Sequence, residues 1–124
     1  MEIGMKATAQ MVVAKKTTAK AVGSGNLDVF ATPMMVALME EAACNCLANS
    51  LEPNQSSVGT LVNVSHTAAS PIGEIITATA TIAKIDGRKV TFTVTASDQK
   101  NKIGNGTHER FIIDAERFMA KLNS

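Results

Sequence analysis

Apolar and polar residues repeat with different periods in the two halves of this 124-residue chain. In the second half the period is two. Val58, Thr60, Val62 and Val64 alternate with Gly59, Leu61, Asn63 and Ser65 within 57–67, and Val90, Phe92, Val94 and Ala96 alternate with Thr91, Thr93, Thr95 and Ser97 within 89–97. That alternation predicts strands with one face buried and one solvated. The run Thr77-Ala78-Thr79-Ala80-Thr81-Ile82-Ala83 predicts another over 74–85, and 102–114 a fourth. Pro71-Ile72-Gly73 and residues 98–101 punctuate the strands, while Asp86-Gly87-Arg88 is a hairpin signal whose glycine tolerates a positive φ. Residues 115–122 read as a short terminal helix.

The first half is organised around one helix. Residues 6–20, rich in Thr and Val, predict a strand with an extended continuation, which Gly23-Ser24-Gly25-Asn26 breaks. The helix then runs from Pro33 to about Ala48, with the Thr32 hydroxyl as its expected N-cap and Pro33 in the first helical position, where a missing N–H costs nothing. The stretch from Met34 to Met39 has no polar face, so Glu40 and Glu41 arrive where desolvation penalises a charged carboxylate. These two are about 100° apart around the axis and cannot share a face. One is expected to reach solvent and the other a pocket; the alternative is that both are solvated at the edge of a partly exposed helix. A strand, a long apolar helix and four more strands make an α+β layer, with the apolar face of an antiparallel sheet against the helix.

Composition narrows the function more than it defines it. The chain is long enough for one domain over 1–124, with no repeat or linker. Twelve Lys plus Arg against eleven Asp plus Glu give a net charge of +1, which argues against bulk attraction to nucleic acid or an anionic membrane. Without Trp or Tyr, and with four Phe, base-stacking platforms are poorly supplied. The longest apolar run falls far short of the roughly 20 residues that cross a bilayer, so a cytoplasmic location is expected. Cys44 and Cys46 point about 200° apart on the helix, cannot bridge each other, and have no second cluster at metal-ligand spacing. They read as packing residues, and no metal is expected.

Candidate chemistry rests on few residues. The chain lacks a nucleophile elbow, a Walker loop, a dinucleotide-binding glycine pattern and H-E-x-x-H, which removes the commonest hydrolase, nucleotide and metal readings. His66 closes a strand just before a turn, where an imidazole can face a cleft, and His108 stands among Gly104, Gly106 and Arg110. Either can be a hydrogen-bonded structural residue or an acid–base group. The glycines beside His108 imply a bulge or close backbone approach. A Thr, a Glu and a His on three elements could attack an activated carbonyl without a metal.

The segments Val29-Phe30-Ala31-Thr32, Met35-Val36, Leu38-Met39-Glu40, Gly59-Thr60, His66-Thr67-Ala68-Ala69 and Gly106-Thr107-His108-Glu109-Arg110, in that order, resemble the hotdog-fold acyl-CoA thioesterases, in the fluoroacetyl-CoA thioesterase-like branch. The resemblance implies a curved antiparallel sheet wrapped around the central helix, with two protomers pairing edge to edge. It also implies hydrolysis of an acyl-CoA to a carboxylic acid and free CoA, with no cofactor beyond the CoA of the substrate. Its catalytic group maps onto Thr32, Glu40 and His66: Glu40 attacks the thioester or activates water, His66 handles protons, and Thr32 hydrogen-bonds the carboxylate or the reacting carbonyl. Gly59 matches a position whose backbone lies against the thioester, and Arg110 one lining the substrate side of the pocket. The fluoroacetyl-specific member supplies phenylalanines to a lid from a longer segment before Val-Phe-Ala-Thr. Residues 22–28 here carry none, so that lid is expected to be missing and the pocket to be open to other acyl groups. The expected partners are an acyl-CoA and a second copy of the chain, with dimers able to pair further into tetramers. The rival reading is a non-catalytic acyl-CoA-binding or sensor hotdog domain.

Overall fold

The computed structural model describes residues 1–124 and has the expected α+β arrangement. Strand β1 (Lys6–Val12) and a short helix α1 (Ala19–Val22) precede the long helix α2 (Thr32–Leu47). Strands β2 (Gln55–His66), β3 (Ile75–Asp86), β4 (Lys89–Ser97) and β5 (Lys102–Asp114) follow, then helix α3 (Ala115–Leu122). The strands form one antiparallel sheet in the order β1-β3-β4-β5-β2, curled around α2 in the manner of the hotdog fold. Asp86 pairs with Lys89 across the hairpin, where Gly87 has a φ of +61°.

Burial explains why this helix sits on this sheet. Met35, Leu38, Met39, Ala42, Ala43, Cys46 and Leu47 of α2 pack on Ile76, Ala78, Ala80 and Ile82 of β3 and on Val90, Phe92, Val94 and Ala96 of β4. Each large side chain buried in this way stabilises the fold by about 1.5–3 kcal/mol. The alanines on both surfaces let the two layers approach closely, and threonines alternate on the outer face of β3 as the pattern predicts. Glu41, Cys44 and Asn45 lie on the exposed side of α2, and Cys46 is buried. No helix is long and apolar enough to cross a membrane.

Two local expectations are corrected. The strand expected over 6–20 ends at Val12, because two of its threonines act as turn and cap residues. Thr17 Oγ1 bonds both the amide and the carbonyl of Ala14, at 2.9 and 3.0 Å, and Thr18 Oγ1 caps α1 through the Ala21 amide. Such local side-chain bonds compete with a sheet ladder. The segment from α1 to α2 is closed at its base by Ala19 N to Val29 O at 2.8 Å and Ala31 N to Thr17 O at 3.0 Å, and its Ser24 lines a cavity at the start of α2. Residues 22–28 carry no aromatic side chain. Thr32 is the first residue of α2, with Ala31 in the N-cap position, so its hydroxyl is free for another partner.

The alternation predicted for β2 also breaks. Gly59 pairs with Arg110, but Leu61 pairs with Glu109 and Val62 with His108, leaving Thr60 as a bulge. Directly opposed residues share a face, so Ser57 and Gly59 lie on the same concave face as Val62 and His66. An unbroken period of two would have put Gly59 and His66 on opposite faces.

Candidate active site

Two polar clusters occupy the concave face. The first is centred on Arg110, which is buried (6% exposed) yet fully engaged. Its Nε donates to Ser57 Oγ at 2.8 Å, Nη2 to the Ser57 carbonyl at 3.0 Å, and Nη1 to Glu40 Oε2 at 3.1 Å. Nη1 also lies 3.2 Å from His108 Nε2, while His108 Nδ1 lies 2.8 Å from the Leu61 carbonyl. These contacts fix the tautomer. A carbonyl only accepts, so Nδ1 carries the proton; a guanidinium only donates, so Nε2 offers its lone pair. His108 is therefore a neutral acceptor for Arg110. Burial pushes its pKa down and the Arg110 charge adds to that, against the Leu61 hydrogen bond and the charges of Glu40 and Glu109. Phe92 stacks on the ring with centroids 6.1 Å apart.

Glu40 is the exposed end of this network. Its side chain is 37% exposed, half in the cleft and half in solvent, and it is the only carboxylate in an ion pair with Arg110. The bare backbone of Gly59 lies against it: a Cβ added there would overlap Glu40 Oε2 and come within 3.3 Å of Arg110 Nη1 and His108 Cε1. Of the adjacent glutamates, Glu41 is the one turned to solvent.

The second cluster lies at the start of α2. Gly104 of β5 makes room for Met35, since a Cβ there would sit 2.6 Å from Met35 Sδ and 2.7 Å from the Ser65 carbonyl. The first turn of α2 therefore lies over the end of β2. There Thr32 Oγ1 and His66 Nδ1 are 2.8 Å apart, and Phe30 meets the imidazole edge-on at 6.3 Å. His66 Nε2 is buried without a hydrogen-bond partner, and burial is the main cause that pushes the imidazole pKa down. A cavity of about 260 Å³ opens in front of this pair, walled by Ala19, Ser24, Val29, Phe30 and Ala68.

The five expected site residues therefore fall into two groups, Glu40 with Gly59 and Arg110, and Thr32 with His66. Thr32 and Glu40 are eight residues apart on α2, about 12 Å along the axis at roughly 1.5 Å per residue. Of the two bonds expected of Thr32, the one to the Glu40 carboxylate is not made; its hydroxyl is on His66, and Arg110 holds the glutamate. Sequence reasoning missed Ser57 and the bonding of His108. The i, i+2 spacing of His108 and Arg110 signals a shared strand face, but Ser57 is found only through the β2–β5 register.

Comparison with known proteins identifies the family. The family described as fluoroacetyl-CoA-specific thioesterase (FlK) matches residues 13–116. The fluoroacetyl-CoA thioesterase of Streptantibioticus cattleyicolor is 40% identical over 95 residues, covering 77% of this chain and 68% of that protein. A solved structure of the fluoroacetyl-CoA thioesterase FlK superposes with a TM-score of 0.93 at 39% identity, covering 99% of this chain and 96% of the other. A Thermus thermophilus protein described as a thioesterase superfamily member superposes at 0.91 with 27% identity, covering 98% and 90%. The chain belongs to the fluoroacetyl-CoA-specific thioesterase family and is a thioester hydrolase.

Proposed function

We propose that the protein hydrolyses acyl-CoA thioesters through Thr32, Glu40 and His66, without restriction to fluoroacetyl-CoA. The observation that carries this reading is the carboxylate of Glu40, held at 3.1 Å by buried Arg110 and aimed beside the bare backbone of Gly59. A solved variant of the fluoroacetyl-CoA-specific thioesterase, held with fluoroacetate and CoA, superposes with a TM-score of 0.90 at 39% identity and supports CoA as the carrier. The Glu40 carboxylate adds to the thioester carbonyl, or takes a proton from a water that does. On the first route the C–S bond breaks to leave CoA thiolate and an acyl–Glu40 anhydride, which water then hydrolyses to the carboxylic acid and free Glu40, the water's proton passing through His66 to the thiolate. On the second the water oxygen stays on the acyl group as the C–S bond breaks, and the proton taken by Glu40 reaches the thiolate through His66. An imidazole whose neutral form burial favours accepts a proton early and returns it to the thiolate. Thr32 orients the ring, and the Gly59 N–H is available to the carbonyl oxygen.

The separation of the two clusters favours a homodimer. Strand β2 is twelve residues long, lies at the sheet edge, and leaves Leu61 and Val62 each 42% exposed. An edge of that length is a template for pairing with a second copy. Antiparallel pairing about its middle sets the His66 end of one β2 near the Ser57 and Gly59 end of the other. Thr32 and His66 of one protomer then meet Glu40 and Arg110 of its partner. The small residues Ala19 and Ser24 over the cavity support acceptance of acyl groups other than fluoroacetyl.

The test is free-thiol release from acetyl-, fluoroacetyl-, medium-, long-chain and aryl-acyl-CoAs, with Glu40→Ala beside the native protein. The expected result is turnover of several acyl groups that falls at least a thousandfold in the variant while acyl-CoA still binds. Fluoroacetyl-CoA far outpacing all others would overturn the broad specificity. Binding without hydrolysis by the native protein would make it an acyl-CoA-binding domain.

A further inference from the structure

Beyond the concave face, a second cavity of about 180 Å³ lies where the β3–β4 hairpin, the end of β5 and α3 meet, lined by Arg88, Ile113, Asp114, Arg117, Phe118 and Lys121. Three cations around one small cavity is unusual in a chain of net charge +1. None of the three has a carboxylate within 4 Å, since the only such contacts in the molecule are those of Glu40. Asp114 is already engaged: Oδ1 accepts from the Arg117 amide at 3.0 Å and Oδ2 from Asn54 Nδ2 at 2.9 Å. Those bonds and the Arg117 charge hold its carboxyl below the usual range, so it stays ionised and leaves a net cationic cavity.

The placement is fixed by backbone. Arg117 and Lys121 are four residues apart and so share one face of α3. The Arg88 carbonyl accepts from the Ile112 amide at 2.8 Å, which pins the hairpin turn to β5. Ile112 is two residues beyond Arg110, and Asp114 four, about 13 Å along the strand at roughly 3.3 Å per residue. Ile113 lies on the opposite face of β5 from Arg110, so the cavity opens just around the end of the sheet from the Glu40 cluster. A thioester carried by CoA is neutral at the reacting end and polyanionic at the other, where a pyrophosphate and a 3′-phosphate flank an adenosine. The pantetheine arm between them is long enough to span this separation.

We propose that Arg88, Arg117 and Lys121 form the seat for the phosphates of the CoA nucleotide, with the half-buried ring of Phe118 against the adenine. Arginine forks match phosphate oxygens in pairs, and Lys121 adds a mobile point charge. The assignment rests on the acyl-CoA reading above but uses none of its catalytic residues.

The test compares one acyl group on two carriers, CoA and pantetheine, the latter lacking the nucleotide, in the native protein and in the Arg117→Ala, Lys121→Ala double variant. The expected result is a tenfold or greater rise in KM for the acyl-CoA with kcat held, an unchanged KM for the acyl-pantetheine, and a matching rise for the native protein on acyl-CoA in high salt. Unchanged parameters on acyl-CoA, or equal losses on both carriers, would overturn the proposal. So would a loss confined to the same acyl group on an acyl-carrier protein, which would assign the cations to an acidic protein surface. If the native protein turned over no thioester, the acyl-CoA reading itself would fail. Calorimetric titration with adenosine 3′,5′-bisphosphate would still decide this one: binding lost in the double variant supports it, and absence of binding to the native protein refutes it.

Discussion

Gly59 shows how much of this site depends on an atom that is absent. Its backbone is extended within β2, so alanine is conformationally acceptable there; the obstacle is that the new Cβ would occupy the place of Glu40 Oε2. The carboxylate would have to swing toward solvent, loosening its bond to Arg110, while Arg110 keeps both bonds to Ser57. A displacement on the order of 1 Å in a reacting group costs about a hundredfold in rate. Gly59→Ala is therefore expected to lower kcat/KM by about 10–100-fold while moving Tm by no more than about 3 °C. Steady-state kinetics beside a thermal melt would check it, and a variant as active as the native protein would remove Gly59 from the site. At this scale the residue types were legible in the sequence: a carboxylate in an apolar helix, and a histidine ending a strand. Their partners were not, because Ser57 reaches Arg110 only through the pairing of β2 with β5, and the shared face of His108 and Arg110 on β5 does not by itself say that they bond.

A single bulge separates the predicted from the observed β2. Alternation over 57–67 identifies a strand, but periodicity carries no information about where a residue is skipped, and Thr60 shifts the first part of β2 onto the face of His66. Similarly, a run of threonines reads as strand whether the hydroxyls face solvent, as on β3, or cap turns, as at Thr17 and Thr18. The helix and the hairpin were legible because Pro33 fixes φ at the helix start and Gly87 admits the positive φ that the turn requires. The edge position of β2 could not be read from the strand itself, since strand order is set by which faces find partners. That edge carries the proposed dimer, and a cation placed on it tests the idea. Val62→Lys sets two lysines close across an antiparallel β2–β2 junction, where like charges oppose pairing. Sedimentation is expected to show monomers instead of dimers, with circular dichroism unchanged and thioester turnover at least tenfold lower. A native protein that sediments as a monomer at full activity would rule out a site shared between copies.

On the scale of the whole molecule, the two histidines couple stability to pH. His108 is buried and His66 partly so, and burial lowers the pKa of each below the ordinary imidazole value of 6.5. The unfolded chain therefore takes up protons first as pH falls below about 6.5, and linkage requires the folded state to lose stability over that interval, down to the lowered folded values. Above 6.5 both states hold neutral imidazoles and the curve is flat. Each histidine contributes a slope of at most about 1.4 kcal/mol per pH unit. Asp98, held below its ordinary 3.8 by the Asn101 amide first and then by the Lys100 amide and Ser70, adds a separate loss only below that value. Urea unfolding between pH 8 and pH 4.5 is thus expected to give a plateau followed by a decline beginning near 6.5. His108→Gln removes one titrating group while retaining an amide that can donate to Leu61 and accept from Arg110, and is expected to lessen the decline. With only two histidines in the chain, their imidazole NMR resonances can be followed individually. Either one titrating above 6.5 would mean that an ionised partner outweighs burial, and stability would then rise on mild acidification instead of falling.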